Sequence, residues 1–179
     1  MPLTVHDLVA ERSERYLEWL CEACAIPSLA EDPAGLEQMS SWLECHLSEL
    51  GATTERLSCG TAPDYLLARI GEGARSLLVY DHYDVQPAEP LDLWASKPFS
   101  PEVRDGVVYA RGVADNKGDL VARLAGLELY QQVHGDIPLE IKFLVEGEEE
   151  VGSRNFDAFV SRYGHKLEAD GCIWEGAGI

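Results

Sequence analysis

Hydrophobic and polar positions follow two periods along the chain, one typical of helices and one typical of strands. Apolar residues at helical spacing predict four helices, over residues 4–25, 32–50, 117–134 and 153–163. The second helix has clear boundaries: Asp32 is a capping residue, Pro33 occupies the first helical position, and Gly51 ends the helix.

Shorter apolar segments predict strands at about residues 53–58, 64–70, 77–80, 107–110, 139–145 and 172–174. Residues 77–80 are continuously apolar, which favours a central strand buried on both faces. Because strands and helices are interleaved, the pattern predicts an α/β fold, a three-layer αβα sandwich around a mixed, mostly parallel sheet. No repeat or internal boundary divides the chain, so residues 1–179 are predicted to form one domain or part of one.

A proline-rich loop over residues 86–102 separates two of these elements. Loops of this length in a compact domain are usually functional or act as covers. Arg104-Asp105-Gly106 follows as a turn signal that leads into the strand at residues 107–110.

The amino-acid composition excludes some classes of binding partner. The chain has 179 residues, 14 basic against 32 acidic, and a net charge of -18. Such a charge repels phosphate groups, so no nucleic acid and no anionic membrane surface is expected as a partner. The N-terminus lacks the apolar segment of a signal peptide, and the five cysteines are an odd number, which favours a cytoplasmic location. Cys21 and Cys24 are expected to be buried apolar residues rather than zinc ligands.

Polar residues suited to metal chemistry stand where predicted strands end or helices begin. They are His82, Asp84, Asp115, Glu149, Glu150 and Glu175. In open α/β sheets, ligands bind beyond the carboxyl ends of the strands, so these side chains are expected to converge at one edge. Imidazole together with several carboxylates is the ligand set of a two-metal hydrolytic site.

Each residue alone has a simpler interpretation. A histidine at a strand end is more often structural, and Asp115 by itself would be a helix cap. Residues 148–150 would normally be a solvated run of charge. Taken together, however, the set is far more specific than its parts.

Two segments carry a family resemblance, YDHYDVQPAEPLDLWASKPFSPEVRDGVVYARGVADNKG and EGEEEVGS. They resemble the carnosinase, aminoacylase and glutamate-carboxypeptidase family of two-zinc amidohydrolases, most closely its carnosinase-like dipeptidase branch. The resemblance implies an αβα zinc-peptidase fold and a metal-dependent hydrolase that cleaves peptide or related amide bonds in small peptides. An N-acyl-amino-acid deacylase or desuccinylase is the alternative within the family. Two Zn²⁺ ions are implied, with Mn²⁺ or Co²⁺ as possible substitutes.

The resemblance also implies roles for individual residues. One metal would be bound by His82 and Glu175, the second by Glu150, and both by Asp115, which a cis peptide bond typically follows. Asp84 would orient His82, and Glu149 would be the general base. Two neighbours of these residues depart from the family pattern: Asp81 stands where many relatives have a small residue, and Asn116 where many have aspartate.

Members of this family are longer than this chain. After the segment that matches Glu175 they insert a lid and dimerisation domain, and the catalytic domain then resumes and supplies a final histidine ligand. His134 and His165 do not match that histidine and are expected to be exposed. The chain is therefore expected to be the N-terminal part of a catalytic domain whose parent is a homodimer. The remaining alternative is an inactive fragment that binds at most one metal.

Overall fold

The computed structural model describes residues 4–174. Its four helices are α1 (Val5–Ala25), α2 (Pro33–Glu49), α3 (Lys117–His134) and α4 (Phe156–Tyr163). Its strands are β1 (Thr53–Leu57), β2 (Tyr65–Ile70), β3 (Ser76–His82), β4 (Glu102–Arg104), β5 (Val107–Tyr109), β6 (Glu140–Glu146) and β7 (Gly171–Ile173). Short 3-10 turns lie within the proline-rich loop (Leu91–Leu93), after strand β6 (Glu149–Val151) and after α4 (Gly164–Lys166).

The main sheet has the strand order β1-β2-β6-β3-β7. Strand β3 is parallel to β6 and to β7, whereas β2 is antiparallel to both β1 and β6. The predicted mixed sheet is therefore confirmed, but the described part of this five-stranded sheet has two parallel and two antiparallel pairings rather than a parallel majority. Strand β3 has neighbours on both sides, which confirms its predicted internal position.

Helices cover both faces of this sheet. On one face, α1, α2 and α3 enclose the larger apolar core, which includes Trp19, Met39, Leu124, Val79 and Phe143. On the other face, α4 packs a smaller core around Phe159, Tyr65 and Leu144. Alternating strand residues supply the two cores, as the period of two along a strand requires. The predicted αβα sandwich is thus confirmed.

The helix boundaries follow from local chemistry. The Asp32 side chain accepts a hydrogen bond from the Ala34 amide at 3.1 Å, and Pro33 begins α2, as predicted. Helix α4 begins later than predicted, at Phe156 instead of residue 153. Ser153 has φ = +44°, a left-handed conformation in which a helix cannot begin.

Strands β4 and β5 form a separate two-stranded hairpin in which the predicted turn is confirmed. Asp105 and Gly106 both have positive φ, at +52° and +79°, as a two-residue hairpin turn requires. The strand β4 was not predicted, because three residues are too few to show an alternating pattern.

Cys24 is fully buried, as expected, while Cys21 is partly exposed. His134 and His165 are exposed at helix ends, also as expected. Between residues 4 and 174, no helix has both the length and the apolar character that crossing a bilayer demands.

Candidate metal centre

The predicted site residues for which the structure gives coordinates lie at the carboxyl-terminal edge of the parallel strands. His82 is the last residue of β3, and the 3-10 turn Glu149–Val151 follows β6, its parallel neighbour. Asp115 directly precedes the cap of α3. The strand ends and the helix start therefore face the same space, as the topology rule predicts.

The His82 imidazole is completely buried and lies between two aspartates. Its Nε2 atom is 3.0 Å from Oδ1 of Asp115. Its Nδ1 atom is 3.0 Å from the main-chain oxygen of Asp84 and 3.4 Å from the Asp84 carboxylate. With Nδ1 occupied by Asp84, Nε2 is the ring nitrogen that faces Asp115 and that would be available to bind a metal ion.

The carboxylate of Asp84 also contacts the next segment of the site. It is fully buried, and its two oxygens accept hydrogen bonds from the backbone amides of Glu149 at 3.2 Å and Glu150 at 3.0 Å. Asp84 therefore joins the end of β3 to the turn that carries both glutamates. The shorter contact of the His82 ring is with the main-chain oxygen of Asp84, so the carboxylate orients the glutamate turn more directly than the imidazole.

Gln86 also contacts Glu150, at both the side chain and the main-chain oxygen of that glutamate. Its side-chain amide donates to Oε2 of Glu150 and to the main-chain oxygen of the same residue, each at 2.9 Å. Gln86 was not predicted to be a site residue. Only its position two residues after Asp84 could have suggested that it lies near the site.

Two further glutamates, Glu148 and Glu146, attach the 3-10 turn Glu149–Val151 to the rest of the domain. Glu148 is buried and accepts hydrogen bonds from the Tyr65 hydroxyl at 2.9 Å and the Asn155 amide at 2.8 Å. Glu148 is thus a structural residue and not part of a solvated charge run.

Glu146, at the end of β6, is completely buried. It accepts hydrogen bonds from the hydroxyls of Tyr80 and Ser153, the latter at 3.0 Å. Burial raises the pKa of Glu146 to about 7. The bond to Ser153 attaches the far end of the glutamate turn to the sheet.

A tight turn presents Asp115 to solvent. Gly112 has φ = +79°, and a Cβ atom there would lie 2.6 Å from Val85, so only glycine fits. The buried ammonium group of Lys117 donates to the main-chain oxygens of Ala23 and Ile26, which attaches this turn to the end of α1. The peptide bond between Asp115 and Asn116 is cis, as the resemblance implied, and the Asp115 side chain is 74% exposed.

His82, Asp115 and Glu150 form a group whose ligand atoms all lie within 4.8 Å of one another. Zinc–ligand bonds are about 2 Å long, so these three donors are close enough to be ligands of one ion or of two ions bridged by Asp115. The donor set fits a divalent metal, since an imidazole and two carboxylates are its usual ligands. Glu175 lies outside the described residues.

Glu149, which precedes Glu150, lines a mainly apolar cavity of about 310 Å³. The cavity lies on the α4 face of the sheet and is lined mainly by aromatic and aliphatic side chains, among them Tyr80, Phe156 and Trp174. Glu149 is thus a neighbour of Glu150 in the chain and also lines an apolar cavity.

An αβα sandwich with histidine and carboxylates gathered at its strand ends defines a metal-binding α/β domain of the hydrolase type. The family model described as Peptidase family M20/M25/M40 matches residues 78–178, more than half of the chain. The chain belongs to this family.

The curated relatives that the chain matches include a desuccinylase and a dipeptidase. A succinyl-diaminopimelate desuccinylase of Stenotrophomonas maltophilia is 37% identical over 134 residues, which cover 75% of this chain and 35% of the relative. A Beta-Ala-His dipeptidase of Mus musculus is 32% identical, with 83% of this chain and 34% of the relative covered. The chain thus spans about a third of the length of these relatives.

A solved structure shares the fold closely. It is an M20 family metallo-carboxypeptidase from Sulfolobus solfataricus, with a TM-score of 0.85 and 34% sequence identity. The match covers 92% of this chain and 38% of the carboxypeptidase.

Proposed function

We propose that residues 1–179 form the N-terminal part of the catalytic domain of a metal-dependent hydrolase that cleaves peptide or related amide bonds. The observation that carries this proposal is the convergence of His82, Asp115 and Glu150 within 4.8 Å, from three separate segments of the chain. Zn²⁺ is the proposed metal, because a buried imidazole among carboxylates suits zinc better than calcium or magnesium, which prefer oxygen ligands alone. Glu175 is proposed as a further ligand.

A bound metal pair supplies a Lewis acid that polarises the scissile carbonyl and lowers the pKa of water. The protein residues supply the proton transfers. The Glu149 carboxylate accepts a proton from the attacking water and then delivers it to the nitrogen of the leaving amine. Asp84 fixes the backbone of Glu149 at 3.2 Å, so that the base is held at a constant position next to the ligand Glu150.

The proposed substrates are dipeptides, with N-acyl amino acids as the second candidate. The dipeptidase relative favours the first and the desuccinylase relative favours the second. Both reactions break an amide bond through the same steps, and the residues discussed above serve either one equally. The choice between them depends on the groups that flank the scissile bond.

Metal binding tests the proposal most directly. The dissociation constant for Zn²⁺ is measured by competition with a chromogenic chelator for the wild-type chain, His82→Ala and Glu150→Ala. His165→Ala is the matched control, since this histidine is exposed and does not belong to the group formed by His82, Asp115 and Glu150. Both site variants should bind zinc more weakly, whereas the control should match the wild type. Zinc binding that does not depend on His82 would overturn the proposal.

Hydrolysis is then measured with Zn²⁺, Mn²⁺ or Co²⁺ on one panel of dipeptides and N-succinyl or N-acetyl amino acids. Turnover of one class that disappears in Glu149→Gln would support the proposed chemistry and identify the substrate class.

A further inference from the structure

A buried cluster lies behind the proposed metal site, on the α3 face of the sheet. The side-chain amide of Asn116 donates to Oδ1 of Asp81 at 3.0 Å, and the guanidinium group of Arg123 forms an ion pair with the same oxygen. Arg123 also donates to the main-chain oxygens of Tyr80 at 3.3 Å and Trp174 at 2.8 Å. We call Asp81, Asn116 and Arg123 the Asp81 cluster.

Two members of the cluster, and one residue that it hydrogen-bonds, are next to proposed metal ligands in the chain. Asp81 immediately precedes His82, and Asn116 immediately follows Asp115. The carbonyl that accepts from Arg123 belongs to Trp174, the residue before position 175. The cluster thus connects three chain segments, each at the residue adjacent to a proposed ligand.

The cluster acts through the backbone and not by touching a metal ion. Consecutive residues of a strand point to opposite faces, so Asp81 points away from the side on which His82 lies. Asp81 is fully buried, Asn116 is 2% exposed, and the Arg123 side chain is 18% exposed. Buried charges persist only when they are paired and hydrogen-bonded, so the geometry of this cluster is tightly constrained.

The Asp81–Asn116 contact favours an amide over a carboxylate at position 116. An ionised carboxylate accepts hydrogen bonds but cannot donate them, whereas the asparagine amide donates. An aspartate at position 116 would place a second carboxylate 3 Å from Asp81 in a buried environment, where like charges repel strongly. With Asp81 present, asparagine at position 116 restores a favourable pair.

From this geometry we infer that Asp81, Asn116 and Arg123 are positioning residues that set the relative placement of His82, Asp115 and the segment leading to Glu175. The inference rests on the proposed metal-binding function. It predicts that the Asp81–Asn116 pair contributes to metal affinity in addition to its contribution to the stability of the fold.

The test is a double-mutant cycle on the metal-binding chain. Asn116→Asp, Asp81→Asn and the exchange variant D81N/N116D are compared with the wild type. For each, the Co²⁺ and Zn²⁺ dissociation constants and the Co²⁺ absorption spectrum are measured, together with urea unfolding of the metal-free protein. Glu128→Gln is the matched control, because Glu128 is another buried acid on α3, paired with Arg12 and Arg15 away from the site.

Asn116→Asp should weaken metal binding by about 10- to 100-fold, the range typical of residues that support metal ligands, and should alter the Co²⁺ spectrum. The exchange variant should recover part of that affinity, because it restores one amide facing one carboxylate but leaves Arg123 beside an asparagine at position 81. Glu128→Gln should lower the unfolding midpoint and leave the dissociation constants unchanged. If Asn116→Asp does not fold, Asp81→Asn, which keeps the shape of the side chain, provides the same comparison.

Unchanged metal affinity in both single variants, with wild-type binding intact, would overturn the inference. So would an exchange variant as weak as Asn116→Asp. Failure of the proposed function has a different signature, because the wild-type chain would then show no zinc binding that depends on His82.

Discussion

The carboxylate of Asp84 lies 3.0 Å from the backbone nitrogen of Glu150, although 66 positions separate the two residues in the chain. With the second bond to Glu149, this contact fixes the turn after β6 to the end of β3. A proposed metal ligand and the proposed base thus obtain their positions from one buried side chain. Each oxygen of that side chain accepts one amide, so no oxygen can be replaced without loss.

Asp84→Asn should weaken zinc binding by about 10- to 100-fold, as expected for a residue that orients ligands. Asparagine keeps one acceptor and turns an NH₂ group towards a backbone amide that itself needs an acceptor. The measurement is the zinc dissociation constant, with the exposed Asp136→Asn as the control. Equal affinity in Asp84→Asn and the wild type would show that the turn is held without this carboxylate.

Substitution of Glu149 should affect turnover, whereas substitution of the adjacent Glu150 should affect zinc binding. In an enzyme with the complete catalytic domain, Glu149→Gln should reduce kcat by about 10²- to 10⁴-fold, the usual cost of removing a general base, and leave the zinc content intact. Glu150→Gln should reduce the zinc content itself. Metal analysis after dialysis, combined with turnover measurements on the same preparations, checks both expectations. Equal metal loss in the two variants would contradict the division of roles.

Lys117→Met should destabilise the fold by about 1–3 kcal/mol, because the main-chain oxygens of Ala23 and Ile26 would each lose the charged one of their two hydrogen-bond donors. The comparison is the free energy of unfolding in urea, with the exposed Lys97→Met as the control. A loss no larger than that of the control would mean that the backbone amides of Ile26 and Ser28, which donate to the same oxygens, are sufficient without the lysine.

The sequence predicted the elements that have a clear period and the residues that have clear chemistry. Helix α3 was predicted with its observed limits, because its apolar spacing is regular and Gly135 ends it. The convergence of His82, Asp115 and Glu150 followed from their placement at strand ends. What could not be predicted depends on the register between strands and on contacts between distant segments. The pairing of Asp81 with Arg123, for example, requires that α3 lie across β3 at one particular height.

Strand β4 is too short and too exposed to be predicted from the hydrophobic pattern of the sequence. Glu102, Val103 and Arg104 form a strand only because β5 pairs with them through the turn at residues 105–106. Val103 is half exposed, so no buried face marks the strand in the sequence.

Glu146 should make the stability of the metal-free protein depend on pH. Its pKa is about 7 in the folded state, raised by burial from an ordinary value of 4.5. Between these values the folded protein holds the proton more tightly than the unfolded chain. The stabilisation is therefore complete below about pH 4.5 and is lost as the pH rises through about 7. Glu146→Gln imitates the protonated carboxyl and keeps an oxygen that can accept from Tyr80 and Ser153.

The variant Glu146→Gln should match the wild type near pH 4.5 and exceed its stability at pH 8, by about 1–3 kcal/mol, since one pKa unit corresponds to about 1.4 kcal/mol. Urea unfolding of the metal-free protein at intervals from pH 4.5 to 8 measures this difference directly. The exposed Glu72→Gln serves as the control, because it removes the same charge from the surface and should leave the slope unchanged. Parallel curves for Glu146→Gln and the wild type over the whole range would mean that Glu146 ionises in the fold as easily as it does in water, and that the polar contacts around it offset its burial.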